Sequence, residues 1–271
     1  MKQTRTIAVL NQKGGVGKTT TAINVAAYLA KQDVRVLVVD ADPQGNATTG
    51  LGIDKANLDS TLCDVLVSGA DLANVLLETK TDNVYLVPTD ARLASAELEL
   101  ANRDDREQIL KNSLSASLGY NGTTDPKGAK QHFDYVLIDC PPALGLLTVN
   151  ALTAADYVLI PVQAEYFALE GLSQLLQVMQ LVRSNHNPDL ELLGVVMTMF
   201  DKRTTLAENV YNEVKKHFGE KLFKTVIPRN IRLAEAPSYG RPISEHDKWS
   251  KGARAYKNLA KEITSSVNED K

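Results

Sequence analysis

The 271-residue chain has only two cysteines, Cys63 and Cys140, and they lie far apart without the close spacing of a zinc ribbon. This scarcity excludes a disulfide scaffold and is typical of a reducing compartment. No apolar run approaches the roughly 18 residues of a membrane span. The run Ile7–Leu10 is too short for a secretion signal. We therefore expect a cytoplasmic protein that is not inserted in a membrane.

Aromatic residues make up only 6% of the chain, and the net charge of −3 gives no overall bias toward nucleic acid. The charge is nevertheless unevenly distributed. Residues 198–257 contain 13 Lys and Arg against 7 Asp and Glu, whereas the rest of the chain contains 17 against 26. The C-terminal quarter is therefore a candidate surface for a polyanion on an otherwise acidic protein.

Short β-branched runs alternate with segments of helical periodicity along the sequence. Continuous apolar runs predict strands that are buried on both faces, as in a parallel sheet. The predicted strands are 6–10, 34–39, 84–87, 135–139, 157–161 and 193–198, with a strand end and turn at 226–230. The predicted helices are 21–30, 60–80 (one or two), 91–118, 169–183, 206–218 and 250–267, and a surface insertion is predicted at 119–130. We expect a three-layer α/β fold, with helices on both faces of a mostly parallel sheet, in one domain spanning residues 1–271.

A glycine-rich loop follows the first predicted strand and opens the first predicted helix. This is the context that a phosphate-binding loop requires. Its glycines allow backbone N–H groups to approach phosphate oxygens closely, and the helix N-terminus adds a partial positive charge. We expect Lys18 to contact the β- and γ-phosphates of ATP and Thr19 to bind Mg²⁺. The loop residues are Lys13, Gly14, Gly15, Val16, Gly17, Lys18, Thr19 and Thr20.

Two aspartates, Asp40 and Asp42, follow the second predicted strand at the edge where open α/β sheets bind ligands. Residues two apart on a strand face the same side, so both can face the nucleotide. We expect Asp42 to orient the attacking water and Asp40 to support the metal shell or the adjacent loop. Their spacing alone leaves the assignment of the two roles open.

Asp139 ends another predicted buried strand, just before Cys140-Pro141-Pro142, and looks like the aspartate of a Walker B segment. There it would steady the metal through a bound water or through Thr19. A helix-capping role is the alternative for a lone aspartate at a strand end. The phosphate loop upstream favours the metal role.

The loop departs from the general phosphate-loop pattern, because Gln12 stands where that pattern has glycine, and Lys13 is an added lysine. Lys-Gly-Gly-x-Gly-Lys-Thr-Thr resembles the deviant Walker A motif of the ParA/MinD family of dimerising ATPases. Residues 39–48, 138–142, 165–172, 226–230 and 234–238 are also similar to ParA/Soj partitioning ATPases, so the resemblance covers nearly the whole chain.

This resemblance implies a cycle. ATP binding forms a sandwich homodimer, in which Lys13 reaches the partner's nucleotide. The dimer binds duplex DNA without sequence preference on the nucleoid. A ParB-like centromere-binding protein then stimulates hydrolysis, and the dimer dissociates. The family also implies that Asp42 is the hydrolysis residue and that the turn Pro228, Arg229 and Asn230 lies near the adenine.

Sequence-independent DNA binding depends on lysines and arginines that contact phosphates. Within the basic C-terminal quarter we favour Arg203, Lys215, Lys216 and Arg232, of which Arg203 and Arg232 are also supported by the family resemblance. For each residue alone, an ordinary solvated surface charge is the competing interpretation.

Three other activities use a similar loop. A MinD-like membrane-cycling ATPase is the main alternative, but residues 260–271 have few apolar anchors and an acidic end, which makes a poor membrane-binding helix. An iron–sulfur carrier resembling the nitrogenase iron protein does not match the positions of Cys63 and Cys140. A metabolic synthetase of the same fold would require a small substrate for ATP turnover.

Overall fold

The computed structural model describes residues 4–117, 132–165 and 168–269. Its centre is a seven-stranded sheet with the order β3-β4-β2-β5-β1-β6-β7. All neighbouring strands are parallel except β3, which runs antiparallel to β4 at the edge. The strands are β1 Arg5–Val9, β2 Val36–Asp40, β3 Leu77–Glu78, β4 Val84–Val87, β5 Tyr135–Asp139, β6 Tyr157–Gln163 and β7 Glu191–Thr198.

Helices cover both faces of the sheet, so the predicted three-layer α/β architecture is confirmed. One layer contains α1 Lys18–Ala30, α2 Asn46–Gly50, α10 Ile231–Glu235, α11 Ile243–His246 and α12 Lys251–Glu269. The other contains α3 Leu62–Ser68, α4 Leu72–Val75, α5 Leu93–Leu100, α6 Ile109–Ser117, α7 Leu146–Ala154, α8 Ala168–Asn185 and α9 Thr205–Phe218.

The apolar strands are buried on both sides, as the continuous runs predict. In β1, Ile7 and Val9 pack toward the α1 and α12 layer, whereas Ala8 packs toward the opposite layer. The central strands β1, β2 and β5 lie side by side, with Asp40 paired in register with Asp139. The parallel arrangement therefore brings the carboxyl ends of these strands to one edge of the sheet.

Three segments differ from the sequence-based expectations. The helical segment predicted at 60–80 is two short helices followed by the edge strand β3. The segment predicted at 91–118 is interrupted between α5 and α6 by turns at 101–108, where Arg103 pairs with Asp105. The described residues 226–230 form an isolated bridge between Pro228 and Phe200 in place of a strand end. The insertion predicted at 119–130 lies outside the described residues.

Candidate functional site

The glycine loop joins β1 to α1 at the carboxyl edge of the sheet. Gly15 and Gly17 have φ values of 74° and 90°, in the left-handed region that favours glycine. A Cβ atom added at Gly14 or Gly15 would have no atom within 4 Å. Packing inside the protein therefore does not require glycine at these two positions, and the space above the loop is clear for a ligand.

Hydrogen bonds to two neighbouring strands hold the loop in place. The Asn11 side chain donates to the carbonyl oxygen of Pro161 in β6 at 2.8 Å and accepts from the Lys13 amide at 3.0 Å. The Thr198 hydroxyl, at the end of β7, donates to the carbonyl oxygen of Val16 at 2.7 Å. The sequence motif does not predict these roles of Asn11 and Thr198, because neither residue belongs to it.

Lys18 lies beneath the loop as a buried cation, with 6% of its surface exposed. Its ammonium group donates to the carbonyl oxygen of Lys13 at 3.1 Å. Burial lowers the pKa of Lys18, while the nearby charges of Asp139 and Asp42 act in the opposite direction. An anionic ligand close to this buried amine would favour its charged form in the same way as the two carboxylates.

Lys13 has a different environment, on the outside of the same loop. It forms an ion pair with Glu165, in which both side chains remain about half exposed. The pair lies at a cleft of about 570 Å³ beside the loop, which is also lined by Pro142 and Leu144. Lys13 is therefore accessible from outside the molecule, unlike Lys18.

Asp40 is fully buried and its carboxylate is engaged within the protein. One oxygen accepts from both the amide and the hydroxyl of Thr48, each at 2.7 Å, and the other accepts from the Asp42 amide at 3.3 Å. Burial raises the pKa of Asp40 to about 7, although the bonds from Thr48 lower it. The contacts of Asp40 tie the end of β2 to the start of α2.

Asp139 lies beside Asp40 in the sheet and is also fully buried. Neither of its carboxylate oxygens has a hydrogen-bond partner among the described residues. Burial raises the pKa of Asp139 well above its usual range, and the charge of Asp40 raises it further, while the Thr19 hydroxyl close to the carboxylate lowers it. A buried, unpaired carboxyl group is costly, so this position points to a missing cationic or donor partner.

Asp42 is 6% exposed and accepts a hydrogen bond from the Gln44 amide at 3.0 Å. It contributes to the electrostatic environment of both Lys18 and Asp139. The structure therefore brings Asp40, Asp42, Asp139 and Lys18 together at the carboxyl edge of the sheet.

A magnesium ion at this edge would need ligands from more than the carboxylates. In the described part of the chain, no three His, Cys, Asp or Glu side chains form a metal cluster on their own. The unpartnered oxygens of Asp139 and the hydroxyl of Thr19 suit a hard cation, for which oxygen is the preferred ligand. Phosphate oxygens of a bound nucleotide would supply the remaining ligands.

A second, basic site lies between the loop that follows β7, the segment 224–231 and α12. It is a cleft of about 1010 Å³, called here the basic cleft. Pro228 borders the basic cleft, and six cationic side chains line it: Lys202, Arg203, Lys224, Arg229, Lys251 and Arg254. Arg203 and the turn residues Pro228 and Arg229 are distant in the sequence and therefore share one surface only in the fold.

The remaining predicted residues of this part of the chain lie outside the lining of the basic cleft. The Asn230 side chain caps α10 by accepting from the Arg232 amide at 2.9 Å. Lys215 and Lys216 are exposed in the last turn of α9, outside the lining of the basic cleft. The four cations favoured from the sequence are therefore not gathered in a single cleft.

Arg203 and Arg232 are exposed, and each pairs with a nearby carboxylate. The Arg203 guanidinium donates to both oxygens of Asp201, at 2.9 and 2.7 Å, and holds the pKa of Asp201 down at about 2. Arg232 donates to Glu235 at 2.9 Å and lies 3.7 Å from Asp247. Both guanidinium groups remain accessible to a ligand from solvent.

A family model described as an AAA domain matches residues 4–192. The chain is 52% identical to the sporulation initiation inhibitor protein Soj of Bacillus subtilis, over 96% of this chain and 98% of Soj. It is 48% identical to the chromosome partitioning protein ParA of Caulobacter vibrioides, over 96% of this chain and 94% of that protein. The chain belongs to the ParA/Soj family of partitioning ATPases.

The family resemblance inferred from the loop is therefore confirmed. Among solved structures, this ParA/Soj-family chain is similar to cobyrinic acid a,c-diamide synthase from Mycobacterium smegmatis with bound ADP and magnesium. The TM-score is 0.83 at 37% identity, covering 99% of this chain and 97% of the other. The described residues include no helix long and apolar enough to cross a membrane.

Proposed function

We propose that this chain is a DNA-partitioning ATPase that binds Mg-ATP, dimerises in that state and holds duplex DNA without sequence preference. The observation that carries the proposal is the open glycine loop directly beside Lys18 and the buried, unpartnered Asp139. The names of the relatives support partitioning as the biological role. In this cycle a ParB-like protein stimulates hydrolysis, and the ATPase works on the nucleoid.

In the nucleotide site, Lys18 and the amides of the loop neutralise phosphate charge. The hydrogen bonds of Asn11 and Thr198 support this role, because they fix the loop to the sheet before a ligand arrives. Such preorganised donors stabilise developing charge without reorganisation cost during the reaction. We assign the adenine contact to the turn 228–230, as the family implies.

Thr19 and Asp139 are the residues that would hold magnesium. The ion supplies charge neutralisation at the phosphates. Asp139 is suited to this role because its carboxylate is otherwise buried without a partner in the described part of the chain. Asp40 supports the site indirectly, because its own carboxylate oxygens already accept hydrogen bonds from Thr48 and from the amide of Asp42.

Asp42 orients the attacking water in this proposal. It is the one carboxylate of the three that is not fully buried. The contacts of Asp40 with Asp42 and Thr48 hold Asp42 at the edge of the sheet. Replacing Asp42 should therefore slow hydrolysis while leaving nucleotide binding in place.

Lys13 is the residue that couples nucleotide binding to dimer formation. Its side chain already lies on the outer surface and pairs with Glu165 at the neighbouring cleft. In a dimer it would exchange this half-exposed partner for the phosphates of the facing protomer. The exchange costs little, because exposed ion pairs contribute at most about 1 kcal/mol.

Duplex DNA binds through the cations of the C-terminal quarter, with Arg203 and Arg232 as the principal contacts and Lys215 and Lys216 as further ones. Each protomer offers few contacts, so a monomer binds weakly and a dimer gains by avidity. ATP thereby controls DNA affinity without any reading of bases.

The test is sedimentation of the Asp42→Ala protein with Mg-ATP, with and without nonspecific duplex DNA, beside Lys13→Ala. We expect Asp42→Ala to form a stable ATP-dependent dimer that co-sediments with DNA, and Lys13→Ala to do neither. Lys80→Ala, at an exposed lysine in the bend before β4, serves as the matched control and should behave like wild type. An Asp42→Ala protein that stays monomeric, or that dimerises and ignores DNA, would contradict the proposal.

The same assay separates the two alternatives. A membrane-cycling ATPase would co-sediment with anionic vesicles instead of DNA in the presence of ATP. A synthetase, the activity named for the similar solved structure, would turn over ATP only when a small acceptor is supplied.

A further inference from the structure

A second basic groove lies at the opposite end of α1 from the phosphate loop. We call it the tryptophan groove. It has a volume of about 580 Å³ and is formed by the C-terminal end of α1, the segment before α12, and α12 itself. Its lining residues are Tyr28, Lys31, Gln32, Ser244, Lys248, Trp249, Lys257 and Lys261.

Trp249, the only tryptophan of the chain, is 80% exposed at this groove. The backbone that carries it is held by Asp247, whose side chain accepts from the Trp249 amide at 3.2 Å. The ammonium group of Lys248 lies 5.4 Å from the centroid of the indole ring. Covering an exposed indole removes apolar surface from water, which favours a partner that packs against the ring.

The groove is strongly cationic. Lys31, Lys248, Lys257 and Lys261 line it, and none of the lining residues carries a carboxylate. None of the four lysines forms an ion pair with another described residue. Lys257 and Lys261 lie one turn apart on α12, a spacing at which like charges repel. An anionic ligand would relieve this repulsion.

Ser244 forms part of the wall of the groove. It is 5% exposed, it lines the groove, and its hydroxyl has no hydrogen-bond partner within the described ranges. The hydroxyl oxygen itself has almost no exposed surface, so it is not a contact for a ligand in the groove. The features of the groove that a ligand can reach are therefore an aromatic face and four lysines without an ion pair to another described residue.

We propose that the tryptophan groove binds single-stranded nucleic acid, with Trp249 stacked on an unpaired base and the lysines on the flanking phosphates. A cationic groove with an exposed aromatic ring is the arrangement that holds single strands without sequence preference. In a duplex the bases stack on one another and present only their edges, so the indole face has no base to stack on. This inference does not rest on the duplex binding proposed above.

The test uses the fluorescence of Trp249, which reports on this groove because the chain has no other tryptophan. Without nucleotide, oligo(dT) should quench the emission, whereas a duplex of equal length and polyglutamate should not. In anisotropy titrations of labelled oligo(dT), Trp249→Ala should bind roughly five- to one-hundredfold more weakly. Lys257→Glu/Lys261→Glu should also bind more weakly and with a shallower salt dependence.

Two further variants separate this proposal from the duplex-binding one. Lys80→Glu/Arg183→Glu reverses two exposed charges that do not line the groove and should bind oligo(dT) like wild type. Arg203→Glu should weaken duplex binding and keep oligo(dT) binding. A change at Arg232 is less suitable, because Arg232 lies 3.7 Å from Asp247. Asp247 accepts a hydrogen bond from the Trp249 amide, so a change at Arg232 could also disturb the tryptophan groove.

Three results would overturn the proposal. They are equal quenching by duplex, quenching by polyglutamate, and unchanged oligo(dT) binding by Trp249→Ala. The first would show that base stacking is not involved, and the second would show a general anion site. The third would show that the indole takes no part in binding.

Discussion

The phosphate loop and the basic cleft differ in how their charged groups are held. At the loop, Lys18 and Asp139 are buried and their pKa values are shifted by burial. At the basic cleft, the Arg203 side chain is 88% exposed and pairs with a neighbour two residues away. A buried charged group interacts strongly with its surroundings, so a single one can determine binding. An exposed charged group contributes little by itself, so several must act together on a ligand. The two regions should therefore respond very differently to single substitutions.

The largest expected effect is at Lys18. Lys18→Ala removes the buried lysine that we propose contacts the phosphates, and we expect turnover to fall by about 100- to 1000-fold, as for other preorganised charge donors. ATPase assays and nucleotide titration measure the loss, with Lys80→Ala as the matched control. A Lys18→Ala protein with near-normal turnover would show that the buried lysine is not at the phosphate site.

Replacing Asp139 should raise the stability of the free protein and weaken its binding of Mg-ATP. Asp139→Asn removes a buried ionisable group that has no partner in the described chain. At pH 7 the folded protein holds a proton on this carboxyl that the unfolded chain releases, and Asn avoids that cost, so we expect the free energy of unfolding without ligand to rise by about 1–3 kcal/mol. The stabilisation normally gained from Mg-ATP should be lost. Thermal melts with and without Mg-ATP measure both changes, and a normal ligand shift would contradict the magnesium role.

The pH dependence of the same melts tests the burial of the carboxyl pair. Because burial raises the pKa of Asp139 and raises that of Asp40 to about 7, the folded state holds protons that the unfolded state releases. The free energy of unfolding should therefore fall as the pH rises from about 4 toward 7. Asp139→Asn should flatten this slope. An unchanged slope would mean that Asp139 already has a partner.

The two regions also differ in how far the sequence predicts them. The motif specifies the loop residue by residue, because positive φ at Gly15 and Gly17 and the order of strand, loop and helix are local constraints. The supporting contacts of Asn11 and Thr198 lie beyond the motif, since they depend on strands distant in the chain. For the basic cleft the sequence predicts an excess of positive charge and Arg203 as one contact, whereas the placement of Arg229 on the same cleft as Arg203 requires the fold.

A moderate effect is expected at the arginines. Arg203→Glu/Arg232→Glu should abolish duplex DNA retention while sparing ATP-driven dimerisation, because both side chains carry exposed charge outside the glycine loop. Co-sedimentation with DNA over a range of salt concentrations measures the loss. The charge-matched Lys80→Glu/Arg183→Glu protein is the control, and unchanged DNA retention by the arginine variant would count against the assignment.

The smallest effect is expected at Asp201, which holds Arg203 through two hydrogen bonds. In Asp201→Asn the guanidinium no longer has a charged partner, and the DNA phosphates no longer face a nearby carboxylate. We expect duplex affinity to rise by a few-fold at low salt and the difference to disappear at high salt, where exposed charges are screened. Weaker binding by Asp201→Asn would show instead that the carboxylate positions Arg203 for its phosphate.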